Sequence, residues 1–238
     1  MMKAVDKKDY PKTRAKWRRW MKKINKIATD VVIDNYIFRR SMEIINTSKK
    51  YESNPIVVNW VKRSYATHVA MGVRRLIDKD GRTYSLFCLI QSISENPQIV
   101  TRKSYVTRYP KHIKRFGQED FNQFVGAGND TLTKEIVIAD LNKLEKMIKH
   151  IGSTISKIFA HSQRKSNGKK KIKWFEIHRS IAELDKLCIR YSSILNQDAN
   201  FSSLLPENVS DYDKDIRSIF GEKREKGDKG GHYALSRV

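Results

Sequence analysis

Histidine is the side chain best suited to proton transfer at neutral pH, and one histidine of this chain, His161, stands at a chemically marked place. It follows Ala160 where a long apolar stripe gives way to the basic stretch SQRKSNGKKKIK. Residues 157–173 hold seven Lys or Arg and no acid: Lys157, Arg164, Lys165, Lys169, Lys170, Lys171 and Lys173. An imidazole beside such a loop fits work on a polyanion, with the cations neutralising phosphates and the ring moving a proton. A plainer reading fits the same residues: a histidine favoured by the negative end of a helix dipole, next to a solvated charge run. His68 lies near the core-facing stripe of another helix and reads as a satisfied core histidine. No His, Cys, Asp and Glu grouping has metal-ligand spacing, so neither a metal nor another cofactor is expected.

The element that must position His161 is the stretch from Thr133 to Arg164. Its apolar residues, from Ile136 and Val137 through Leu144 and Ile151 to Ile158 and Phe159, recur every three or four positions and define one face of a long amphipathic helix. Glu135, Asp140 and Glu145 lie in its first half and the cations in its second, as the macrodipole favours. Ser166-Asn167-Gly168 then turns the chain. A second helix is expected from Trp174 to Asn196, with Phe175, Ile177, Ile181, Leu184, Cys188 and Tyr191 on its core face. Helix, short basic loop and helix make an antiparallel hairpin, the unit of up-and-down bundles.

Upstream, residues 3–26 carry eleven Lys or Arg against two Asp, with Trp17, Trp20, Met21 and Ile24 on one helical face. As a positive arm this helix would track phosphates with Arg18 and Arg19. As a packed helix it would show a solvated basic face, since its tryptophans must bury against something; a membrane-surface helix is the third reading. Asn54 as cap and Pro55 at the first helical position start the next helix, which ends in Arg74-Arg75-Leu76-Ile77-Asp78. A short helix over Leu86–Ile93 stops before Pro97, and Gln118–Val125 reads as another. Between them Arg102, Lys103, Arg108, Lys111, Lys114 and Arg115 interleave with Tyr105, Tyr109 and Phe116, a mixture able to bind a nucleic-acid strand.

The fold class these patterns imply is all-α, an antiparallel helical bundle. The expected organisation is a basic helical extension over 1–24, the bundle over 25–200, and a C-terminal segment over 201–238 with one more short helix near 211–220 and a disordered tail from about 221. Cys88 and Cys188 sit inside apolar helical runs and define no disulfide framework. The first residues lack the apolar core of a signal peptide, and no uncharged stretch reaches the roughly 18 to 20 residues of a membrane span. A soluble cytoplasmic protein without a membrane partner is expected. The formal charge of +22 and pI near 10.0 point to a polyanionic partner, above all nucleic acid.

Two stretches carry a family resemblance. NPIVVNWVKRSYATHVAMGVRRLIDKDGRTYSL resembles the second helix of the AbiU-type branch of the HEPN family, with its Arg-Leu-x-Asp ending and following Thr-x-Ser-Leu. ISKIFAHSQRK resembles that family's Arg-Asn-x-x-x-Ala-His signature. The resemblance covers roughly residues 25–200. It implies an all-α bundle that often forms a homodimer, and in active members a metal-independent endoribonuclease acting in phage defence or as the toxic half of a toxin-antitoxin pair, with RNA and an antitoxin protein as partners. His161 takes the place of the family's histidine, but Ile155 and Ser156 stand where active members have Arg-Asn. Ser156 keeps a polar group near His161, and the missing cation falls to Arg164, three residues on, or to the more distant Arg75. Arg75 and Asp78 also fit a structural ion pair. The non-enzymatic alternative is a helical RNA- or protein-binding module with a degenerate site.

Overall fold

A computed structural model describes residues 5–48, 51, 55–160, 174–196 and 203–221, with 150–160 described as helix alone. The elements are α1 (Tyr10–Thr47), α2 (Pro55–Leu76), α3 (Leu86–Glu95), α4 (Arg102–Val106), α5 (Lys114–Val125), α6 (Lys134–Ala160), α7 (Trp174–Asn196) and α8 (Val209–Phe220). The architecture is all-α, and among the described residues the nearest approach to sheet is a single antiparallel bridge between Thr101 and Thr131. No helix of the described residues is long and apolar enough to cross a membrane.

Helix α1 is the axis. Its apolar positions repeat at helical spacing along its whole length, and α2, α3, α7 and α8 all pack against it. Contacts such as Phe38 with Trp174, Asn35 with His178, Asn25 with Ser192 and Arg18 with Leu195 show that α7 runs antiparallel to it. The helix passes without a break through residues 24 and 25, where an extension was expected to join the bundle. Trp17, Met21 and Ile24 lie in the same buried cluster as the residues beyond, and the Trp17 indole N–H donates to Ser92 Oγ at 3.0 Å. The first half of α1 is therefore core, and only its outer face is free to be basic.

Helix α2 also runs antiparallel to α1, stacking Tyr65 on Phe38 with ring centroids 3.8 Å apart and planes 1° from parallel. Where the two helices cross, Gly72 faces Val31 so closely that a β-carbon at 72 would run into Val31 Cγ2. After α2, Asp78 Oδ1 accepts from Asp80 N at 3.0 Å, and Ser85 caps α3 by accepting from Cys88 N at 3.0 Å. The cap Asn54 expected for α2 lies outside the described residues. Helix α5 begins at Lys114, four residues before its expected start, and ends at Gly126, whose φ of 85° closes the helix. Helix α8 is held to α1 by Asp213, which pairs with Arg40 and, at 2.9 Å, with Arg217. The Arg40 guanidinium holds the Asp213 carboxyl below its ordinary range.

Three side chains stand apart from their sequence reading. Phe175, expected in the core, is 72% exposed, because Trp174 takes the inward position against Phe38 and Tyr65. His68 is not a core histidine: its side chain is 70% exposed and its Nδ1 pairs with Asp34 at 2.8 Å. Asp140, read as part of the dipole pattern of α6, is 2% exposed and faces Arg190 of α7 at 3.2 Å, with the Tyr191 hydroxyl donating to it at 3.4 Å. A carboxylate this deep persists because a cation and a hydroxyl meet it. Replacing Asp140 with Ala strands both partners, so Asp140→Ala should destabilise the fold by about 2 to 4 kcal/mol, the lower end reflecting a one-third exposed Arg190. Urea unfolding of the variant beside the parent measures it.

Candidate nucleic-acid interface

A cavity opens where α1 meets the connection between α2 and α3. It has a volume of about 530 Å³ and is lined by Lys23, Lys26, Ile27 and Asp30 of α1, and by Arg75, Asp78, Thr83 and Tyr84. That volume suits a nucleotide-sized group. Lys23 Nζ lies 3.8 Å from the centre of the Tyr84 ring, Tyr84 meets Trp20 edge to face at 5.8 Å, and Lys16 Nζ sits 4.9 Å from the Trp20 ring. Cations and aromatic faces thus alternate along one edge of the groove, the combination that holds a strand through phosphates and bases together. Sequence reasoning singles out Trp20 as a core residue and passes over Tyr84; only the fold brings Tyr84 back beside α1.

Arg75 is exposed, and among the described residues it makes no ion pair or hydrogen bond, so its charge is free for a ligand. It is not locked to Asp78, whose carboxylate caps the turn after α2. Arg75 is also far from the end of α6. Lys79, just beyond α2, pairs with Glu145 at 3.2 Å, and Ala160 lies fifteen residues further along α6, roughly 22 Å of helix rise. Arg19 is exposed on the outer face of α1, whereas Arg18 is half-buried with its Nε donating to Leu195 O at 3.0 Å. Ser156 and Lys157 fall within the last turns of α6, their side chains outside the described residues. His161, Arg164, Lys165, Lys169, Lys170, Lys171 and Lys173 lie outside them altogether.

In the interleaved segment between α3 and α6 the structure commits the tyrosines and part of the cations to internal contacts, while Lys103, Lys111, Lys114 and Phe116 stay exposed. Tyr105 is 1% exposed, Tyr109 donates to Asp120 at 2.6 Å, Arg102 donates to Asn129 O at 2.5 Å, and Arg115 pairs with Glu119 at 3.0 Å. The two tyrosines and Arg102 are spent on packing α4, α5 and the following loop, whereas Arg115 pairs on the surface; Phe116 alone among the aromatics is exposed.

At the end of the bundle where α7 begins, the structure assembles a polar network that sequence reading did not find. His178 Nδ1 donates to Asn35 Oδ1 at 2.6 Å, and the Tyr65 hydroxyl donates to the same oxygen at 2.8 Å. This fixes the proton on Nδ1 and leaves Nε2 as a lone pair. Burial, helped by the Arg39 charge, pushes the His178 pKa down to about 4, and burial with Asp34 pushes the Tyr65 phenol up. The ring is a neutral, oriented imidazole. The one available signal was its place one turn after Trp174 on a face that otherwise reads as apolar.

Among the described residues the chain is a bundle of α-helices in which α2 and α7 run antiparallel to α1. The family model HEPN_AbiU2, described as AbiU2, matches residues 15–215, and the chain belongs to that family. The match starts within α1 and ends within α8. No curated protein and no solved structure matches the chain.

His178 should titrate near 4 rather than near 6.5 when the ring protons are followed by NMR. Because its folded value lies below its unfolded one, the stabilisation from neutral His178 is complete above about 6.5 and is lost as pH falls toward 4. His178→Gln should flatten that acid limb in stability measured against pH.

Proposed function

We propose that this protein is an RNA-binding member of the abortive-infection HEPN family that holds a phosphate backbone along the outer face of α1 and the groove beside it. The carrying observation is that groove: about 530 Å³, rimmed by Lys23, Lys26 and an uncommitted Arg75, with Tyr84 in its wall. A chain of net charge +22 presents these cations where a strand can lie, and the lysine-rich stretch from Lys165 to Lys173 adds to the attraction. Lys23→Gln, Lys26→Gln and Arg75→Gln together should lower the salt slope of single-stranded RNA binding by about 2, at roughly 0.7 for each phosphate no longer neutralised. An unchanged slope moves the RNA elsewhere.

The catalytic form of the proposal is metal-independent endoribonuclease chemistry, serving phage defence or the toxic half of a toxin-antitoxin pair, in a homodimer. The RNA 2′-oxygen attacks the adjacent phosphorus, His161 takes the 2′-proton, the bond from phosphorus to the 5′-oxygen breaks, and that oxygen receives a proton. Arg164 supplies the cation for the developing charge, and Ser156 a further polar group. A non-enzymatic reading has its own support: Ile155 and Ser156 stand in place of Arg-Asn. Structured RNA incubated with the full chain, with and without chelator, separates the two. Cleavage that survives chelator and disappears in His161→Ala establishes the nuclease; salt-sensitive binding with intact RNA in both proteins establishes the binding module.

A further inference from the structure

A second cluster of cations lies on another face of α1, away from the groove. Arg14 and Arg18 project from α1 and Arg108 from the end of α4 toward the last turn of α7. Arg108 Nη1 donates to Leu195 O at 2.5 Å and Nη2 to Ile194 O at 3.2 Å; Arg18 Nε donates to the same Leu195 O at 3.0 Å, and Arg14 Nη1 donates to Ile99 O at 3.0 Å. Three full positive charges thus gather at a helix C-terminus, whose dipole offers the equivalent of about half a negative charge. Among the described residues none of the three meets a carboxylate. Burial, and after it the Arg18 and Arg14 charges, pushes the Arg108 pKa down to about 10, with Tyr105 and Tyr109 acting in the opposite direction.

The hydrogen bonding is also unfinished. Arg108 Nε is buried with no acceptor among the described residues, and so is Nδ2 of Asn196, the residue after Leu195. A buried N–H left without an acceptor costs about 1 to 3 kcal/mol in proteins generally, so a ligand that only accepts is favoured there. Between Arg14, Arg18, Ser104, Tyr105 and Arg108 the structure leaves a gap of about 10 Å³, the room of one water-sized atom. Water would fit, but it brings no charge. An oxygen of an anion fits the gap, accepts from the guanidiniums and supplies the missing negative charge, with the rest of its group outside.

We infer that the Arg14, Arg18 and Arg108 cluster is a phosphate-binding site, seating one phosphate oxygen against the C-terminal turn of α7. Nearby Ser104, whose hydroxyl donates to Thr101 O, serves as a wall. The site does not rest on the RNA reading, because inorganic phosphate and an RNA backbone present the same oxygen.

The test is thermal unfolding of the full chain in potassium phosphate against potassium chloride at equal ionic strength. Phosphate at about ten times its dissociation constant should raise the midpoint by roughly 3 to 6 °C. Arg14→Gln, which gives up one bond to the Ile99 carbonyl, should stay folded in chloride and lose most of the phosphate rise measured against its own chloride midpoint. Arg18→Gln serves as an independent second variant should Arg14→Gln unfold. Equal midpoints in the two salts, or a full rise retained in the folded variants, overturns the site. A single-stranded RNA oligonucleotide titrated onto the same proteins identifies the source: binding weakened several-fold in the variants assigns the site to RNA, and unchanged RNA binding with a lost phosphate rise assigns it to free phosphate.

Discussion

The rest of the structure depends on the burial of one continuous face of α1. A helix of 38 residues runs roughly 57 Å, longer than any single neighbour can cover. Its inward residues, from Trp17 through Val31 to Ile45, therefore recruit α3, α2, α7 and α8 in turn. Each fully buried large side chain contributes about 1.5 to 3 kcal/mol, so the stripe as a whole outweighs the cost of gathering so many like charges in one small domain. The basic surface is the remainder of that arrangement: with one face committed to the core, the lysines and arginines of α1 have only the outer side and its two flanks.

The two flanks use charge differently. On one, Lys16 and Lys23 lie against the faces of Trp20 and Tyr84, and the neighbouring groove keeps Arg75 unpaired. On the other, Arg14 and Arg18 turn inward to backbone carbonyls. Guanidinium suits the second role, since its fixed fork reaches carbonyls while its stem packs, and ammonium suits the first, where a solvated point charge rides over a ring. The separation of Arg from Lys across one helix is thus a division by hydration as well as by position.

Much of the fold could be read in the sequence because it rests on periodicity. The limits of α7 are those expected, α2 and α3 lie within a few residues of their expected spans and α6 starts within one residue of its own, since long amphipathic stripes leave little choice. What could not be read depends on rotation and on distant partners. Trp174 and Phe175 are adjacent aromatics, and only the neighbouring Phe38 and Tyr65 decide which turns inward. Asp140 looks like any acid early in a helix until Arg190 arrives from α7. The interleaved Arg and Tyr of α4 resemble a binding surface because packing and binding draw on the same side chains. Of the candidate site, Arg75 was legible as an exposed cation ending a helix, but its distance from the end of α6 is a matter of helix lengths added in three dimensions. Tyr84 had no signal at all, being a loop residue that matters only through Lys23 and Trp20.

The missing side chain at Gly72 has a mechanical consequence. With Val31 seated in the notch it leaves, the two helices mesh like a tooth and a detent: shifting α2 along its neighbour by even one residue would drive a β-carbon into that methyl group. The alignment of α2 is thereby indexed, and with it the height at which its last turn carries a guanidinium opposite the lysines of α1. A hydrogen atom thus sets the gauge of the groove's mouth from several residues away.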